Sequence, residues 1–182
     1  MMDLLDRIMI GYVVLLFAAV YICLLPVIKA RKKYGKKEFL FLGVFTFTGG
    51  LNLPPSVKCK VHCLRSRVVI EANGQEFSLP VEKIVDVSVM STTEIQKQYV
   101  SNVGGAIAGG MLLGPLGAIL GGGVRQMAIR KRSKFLIFTY MDTDIDETKY
   151  IAFDVTKKMS QAQKFKNKFR SLKRYENVQI DL

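Results

Sequence analysis

From Ile8 to Ile28 the chain reads IMIGYVVLLFAAVYICLLPVI, twenty-one residues without a charge. As a helix rising about 1.5 Å per residue, such a run covers about 30 Å, the thickness of a hydrocarbon core. A cleaved signal peptide would have a basic front, a shorter apolar stretch and small residues at its end. Here the front is MMDLLDR, with Asp3 and Asp6 against Arg7. The expectation is a retained transmembrane helix over 8–28, preceded by a short tail, 1–7.

Lys29, Arg31, Lys32, Lys33, Lys36 and Lys37 follow the run, six cations within nine residues. Basic flanks stay on the cytoplasmic side, so the reading is a single-pass protein of the cell (inner) membrane, with its N-terminus outside. Residues 29–38 form a basic juxtamembrane linker in this reading, and 39–182 a cytoplasmic domain. The whole chain carries 27 Lys and Arg against 15 Asp and Glu, a net charge of +12, and 49% of its residues are apolar. A basic excess asks for an anionic partner. Joined to so much apolar sequence, it points to a membrane surface rather than to nucleic acid alone. Three cysteines, one of them inside the apolar run, do not make a secreted disulfide framework.

Beyond the collar the pattern becomes short and alternating. FLFLGVFTF, Phe39 to Phe47, reads either as a strand or as an apolar stretch at the membrane interface. From Val57, VKCKVHCLR alternates, with Val57, Cys59, Val61 and Cys63 on one face and Lys58, Lys60 and His62 on the other. RVVIEANGQEFSL sets Asn73-Gly74 between two β-rich runs, a hairpin signal. VEKIVDVSVM gives a turn and a strand with Val85, Val87 and Val89 facing one way, and KFLIFTY and TKYIAFDV are two further strands. A final helix shows capping-box spacing at Ser160 and Gln163 and an apolar stripe of Met159, Ala162, Phe165, Phe169 and Leu172. Around it stand eight cations from Lys157 to Arg174, with no acid between Val155 and Tyr175.

Between the strands lies VGGAIAGGMLLGPLGAILGGGV, Val103 to Val124, uncharged and with nine glycines. A P-loop needs a lysine directly after its second glycine, and none stands here. The glycines fall four apart, Gly105 to Gly109, Gly110 to Gly114 and Gly117 to Gly121, which is helix-packing spacing rather than the Rossmann register. Gly114-Pro115-Leu116-Gly117 is turn chemistry at the centre. A full crossing would leave Arg125, Arg130, Lys131, Arg132 and Lys134 outside, against the positive-inside rule. The expected form is an apolar hairpin that returns to the cytoplasmic side.

Other constellations give no chemistry. Cys59 and Cys63 are about 13 Å apart on a strand with His62 on the opposite face, so one zinc cannot take all three. Asp142, Asp144 and Asp146 have the start of a calcium-loop spacing, but Glu147 stands where that loop needs glycine and Phe153 where it needs glutamate. With His62 as the sole histidine and no nucleophile elbow, no enzyme, metal or cofactor is expected.

Strands in series followed by a closing amphipathic helix resemble the pleckstrin-homology and GRAM superfold over about Ser56 to Tyr175. The order RVVIEANGQEFSLPVEKIVDV, VGGAIAGGMLLGPLGAILGGG, KFLIFTY, IAFDV, QAQKFKNKF is similar to bacterial PH-like membrane proteins with a glycine-zipper insert. The resemblance implies a membrane-anchored α+β protein in which a PH-like antiparallel barrel is closed by the C-terminal helix. It also implies a binding or scaffolding role, with Lys60, Arg65 and Arg67 similar to the phosphate-holding cations of lipid-binding PH domains. The full expected set for anionic headgroups is Lys32, Lys33, Lys60, Arg65, Arg67, Arg130, Lys131, Arg132, Lys166 and Arg170. Gly105, Gly109, Gly110, Gly114, Gly117 and Gly121 are expected to pack helices, including those of other copies in a homo-oligomer. A protein partner, an oligomeric pore-forming effector and a tethered nucleic-acid binder are the other readings.

Overall fold

The uncharged run lies within a helix, α1 (Leu4–Tyr34), in a computed structural model that describes residues 4–95, 133–142 and 147–180. The chain divides into two compact units, 1–39 and 40–182. From Gly11 to Tyr34, α1 is long and apolar enough to cross a membrane; its most apolar window is not buried within the protein, whereas Ala30, nearer its end, is. The expected linker at 29–38 is therefore mostly helix. Arg31, Lys32 and Lys33 extend it because cations suit the negative end of the helix dipole. Gly35, at φ +85°, stops it from the left-handed conformation that ends many helices.

Among the described residues seven strands follow: β1 (Phe39–Gly49), β2 (Lys58–Leu64), β3 (Arg67–Ala72), β4 (Gln75–Pro80), β5 (Ile84–Ser91), β6 (Lys134–Asp142) and β7 (Glu147–Asp154). They form one sheet in the order β4-β3-β2-β1-β7-β6-β5, so β1 is central and β4 and β5 are the edges. The ambiguous stretch from Phe39 is thus a strand. It bonds to the approach of β2 through Phe47 N–H to Val57 O at 2.7 Å, and it pairs antiparallel with β7 on the other side. Asn73 and Gly74 both have positive φ, 49° and 76°, as a two-residue hairpin requires, and Ala72 pairs with Gln75 across them.

One face of the sheet carries the main core, to which Phe45, Phe47, Cys59, Val61, Cys63, Val87, Leu136, Phe138, Ile151 and Phe153 contribute. The C-terminal helix, α3 (Met159–Ile180), follows a single turn, α2 (Thr92–Ile95), and inserts Ala162, Phe165 and Phe169 into the core. It contacts both β5 and β2. Phe165 meets Phe41, Phe45 and Phe138 edge-on at centroid distances of 6.0, 6.3 and 5.5 Å, within the favourable range for aromatic pairs.

Three expectations shift. Met159, placed on the apolar stripe, is 39% exposed. Ser160 lies inside α3, which already starts at Met159, so it is not the cap. Val85 is 54% exposed, because the β5–β6 register slips between Ile84 and Asp86 and Ile84 takes the buried place instead. The Val103–Val124 hairpin lies outside the described residues.

Candidate functional site

The expected headgroup-binding cations fall into separate groups. Lys32 and Lys33 are exposed in the last turn of α1, with the Lys33 ammonium 4.9 Å from the centre of the Tyr34 ring. Arg65 and Arg67 are exposed at the β2–β3 turn. Lys60 stands five residues before Arg65 along β2, about 17 Å at strand rise. The trio therefore does not converge on one phosphate. Arg130, Lys131 and Arg132 lie outside the described residues.

Lys60 lines a concavity of about 330 Å³ at the β3–β4 hairpin, with Lys58, Glu71, Ala72, Asn73, Gly74, Gln75 and Glu76. Two ammonium groups there face two carboxylates, so the hollow has no net positive charge to draw in an anion. Glu71 sits directly across from Lys60 in the β2–β3 register. It also lies 3.4 Å from the Nε2 of His62, which the alternation set on the face of Lys58 and Lys60 and which is nearly buried.

The helix α3 provides the denser positive surface. At 100° per residue, Lys166 and Arg170 share one flank of its buried stripe, and Lys164 and Lys168 lie on the other. Lys164, Lys168 and Arg170 are exposed, and Lys166 is half-buried. Burying Ala162, Phe165 and Phe169 thus turns the remaining circumference, which holds no acid up to Lys173, toward solvent. Lys158 is an exception, since its ammonium donates to the backbone carbonyl of Val44 at 2.8 Å and ties the start of α3 to β1. The two partners are 114 residues apart in sequence, so periodicity gives no sign of this clamp.

Two further groups escaped sequence reasoning. Ser91 and Glu94 form the capping box of α2: Ser91 donates from its N–H and, at 2.6 Å, from its hydroxyl to the Glu94 carboxylate, and the Glu94 N–H donates back to Ser91 Oγ at 3.3 Å. Those bonds, with Lys134 at 3.5 Å, hold the Glu94 carboxyl down to about 2. The S-x-x-E spacing was present in the sequence. On the acidic hairpin, Lys149 bonds Asp142 at 2.6 Å, which uses the first carboxylate of the calcium-like spacing; Asp144 and Asp146 lie outside the described residues.

Cys59 and Cys63 point into the core while His62 faces the other way, so the three do not gather around a metal. Burial pushes the Cys59 thiol up to about 11. It pushes Cys63 to about 12, although the Lys168 charge offsets part of that rise. No protein-family model matches the chain, and no curated protein matches it.

Proposed function

We propose that the protein is a single-pass membrane-anchored binding module. Its cytoplasmic domain is a PH-like barrel closed by α3, with the glycine-rich hairpin as an insert between β5 and β6, and it docks on an anionic leaflet. The observation that carries this reading is the juxtaposition along α1: an apolar stretch whose most apolar window is not buried within the protein runs without a break into a basic turn. Exposed side chains such as Leu15 and Phe17, at 69% and 72%, have a favourable place in lipid and a costly one in water. Lysines and arginines at the end of the span then meet the headgroup layer, where each is worth about 1 kcal/mol near an anionic surface.

The same chemistry selects α3 as the docking element over the Lys60 hollow, because α3 presents cations without carboxylates among them. The role is binding or scaffolding rather than catalysis, with anionic headgroups as the partner. Flotation of a chain beginning at Lys36 with phosphatidylserine vesicles tests it. The expected result is co-flotation that fades with added salt and is absent with neutral vesicles. Failure to float with anionic vesicles at low salt removes membrane docking.

A further inference from the structure

Docking on an anionic surface leaves the hollow at the β3–β4 hairpin unused, and the charges that line it have an order. Cys59 and Val61 of β2, Ile70 and Ala72 of β3 and Leu79 of β4 go to the core. Alternation therefore turns Lys58, Lys60, Glu71 and Glu76 to the opposite face. Lys60 stands across from Glu71, and Glu71 across from Glu76. Both cations thus lie on β2, and the two carboxylates lie one and two strands away. Among the described residues β4 is an edge of the sheet, and Lys58, Lys60, Asn73, Gln75 and Glu76 are exposed, so the hollow of about 330 Å³ opens to solvent.

Glu71 and Glu76 are like charges directly opposite each other on neighbouring strands, an arrangement that costs stability. An ammonium set between the two carboxylates removes that repulsion, and an anionic group at Lys58 and Lys60 completes the match. The two poles are held one to two strand spacings apart, about 5–10 Å at the backbone. That is longer than the adjacent carboxylate and ammonium of an α-amino acid, and it suits an ammonium carried two carbons beyond a phosphate ester. Lysine is a common point-charge partner of phosphate, and the amides of Asn73 and Gln75 add donors beside it. Ion pairs among exposed charges are weak, so a ligand that replaces them does so at little cost.

We infer that the hollow binds a small zwitterion of the phosphoethanolamine class, its phosphate held by Lys58 and Lys60 and its ammonium by Glu71 and Glu76. The charge balance that gives a simple anion no foothold is what recognises a ligand carrying both signs. This does not depend on docking through α3, so a chain that fails to float would still bind here.

Calorimetric titration of the full chain in an uncharged maltoside detergent tests it, with O-phosphoethanolamine, inorganic phosphate and ethanolamine as separate probes. The expected result is saturable binding of O-phosphoethanolamine, with each of the two halves at least roughly tenfold weaker. Lys60→Gln and Glu76→Gln should each weaken it roughly tenfold, by removing one charge-assisted contact. Both side chains are exposed, so an unchanged thermal melt is expected to show that the fold survives. A second arm repeats the titration in nanodiscs of phosphatidylglycerol, with and without phosphatidylethanolamine. Weaker binding of the soluble ester only where phosphatidylethanolamine is present assigns the ligand to a lipid headgroup, and equal binding in both assigns it to a free ester; either outcome upholds the inference. Absence of O-phosphoethanolamine binding in detergent overturns it. So does inorganic phosphate binding as tightly as the ester, or binding that neither substitution weakens.

Discussion

Cys59 and Cys63 show how far a single side chain is determined by its strand. Alternation along β2 placed both on the core face, and both are there, fully buried and reduced. Because burial raises their pKa values, the native state holds its thiol protons more tightly than the unfolded chain. The stability they contribute is complete below about pH 9, the ordinary thiol value, and declines as pH rises toward 11 to 12. An impermeant maleimide is expected to leave both unmodified in the folded protein at pH 8 and to modify both in denaturant, read by mass spectrometry. Labelling of either in the folded state contradicts the core placement. Glu94 runs the opposite way. Its folded pKa, about 2, lies below its ordinary 4.5, so its contribution is present above pH 4.5 and is lost as pH falls toward 2. Glu94→Gln should flatten the dependence of thermal stability on pH across that window. His62 was not legible at this scale, since nothing local to it tells that Glu71, on the neighbouring strand, approaches its ring at 3.4 Å.

At the scale of elements, the strongest local signals were also the accurate ones. Asn73-Gly74 specified a hairpin because both residues tolerate positive φ, and Gly74→Val is expected to cost about 1–2 kcal/mol in denaturant unfolding for the same reason. Signals that depend on contact with another element were misread. Composition marked the basic collar as a juxtamembrane linker and left its secondary structure open; α1 runs on through its first residues to Tyr34, and Gly35 ends the helix. The bulge that turns Val85 outward is set by pairing with Thr139 and Tyr140 of β6, far along the chain, and leaves no trace in the alternation of β5 itself. The helix α3 was readable from its stripe, and its place depends on Phe165 among the rings of β1 and β6. Phe165→Ala should cost about 3–5 kcal/mol, measured by chemical denaturation. On the opposite flank of function, Lys166→Gln with Arg170→Gln should weaken binding to anionic vesicles roughly 30-fold, from about 1 kcal/mol per cation. An unchanged affinity moves the docking surface off α3.

For the molecule as a whole, the sequence carried the class of the fold among the described residues, an apolar N-terminal helix, antiparallel strands and a C-terminal helix, and left only the first of the seven strands undecided. It did not carry the site as a constellation, because cations chosen by composition turned out to be divided among α1, the β2–β3 turn, a charge-balanced hollow and α3. Proximity in three dimensions depends on register and sheet order, which no single stretch encodes. The central claim is that α1 is the one crossing and that every cation after it stays on a shared side of the bilayer. The most direct measurement is labelling of single cysteines at Asp3 and Ser160 with a membrane-impermeant reagent, in intact cells and in inverted vesicles. The account predicts that Asp3→Cys reacts only from outside the cell and Ser160→Cys only from the vesicle exterior, which is the cytoplasmic side. Reaction of Ser160→Cys in intact cells would contradict it.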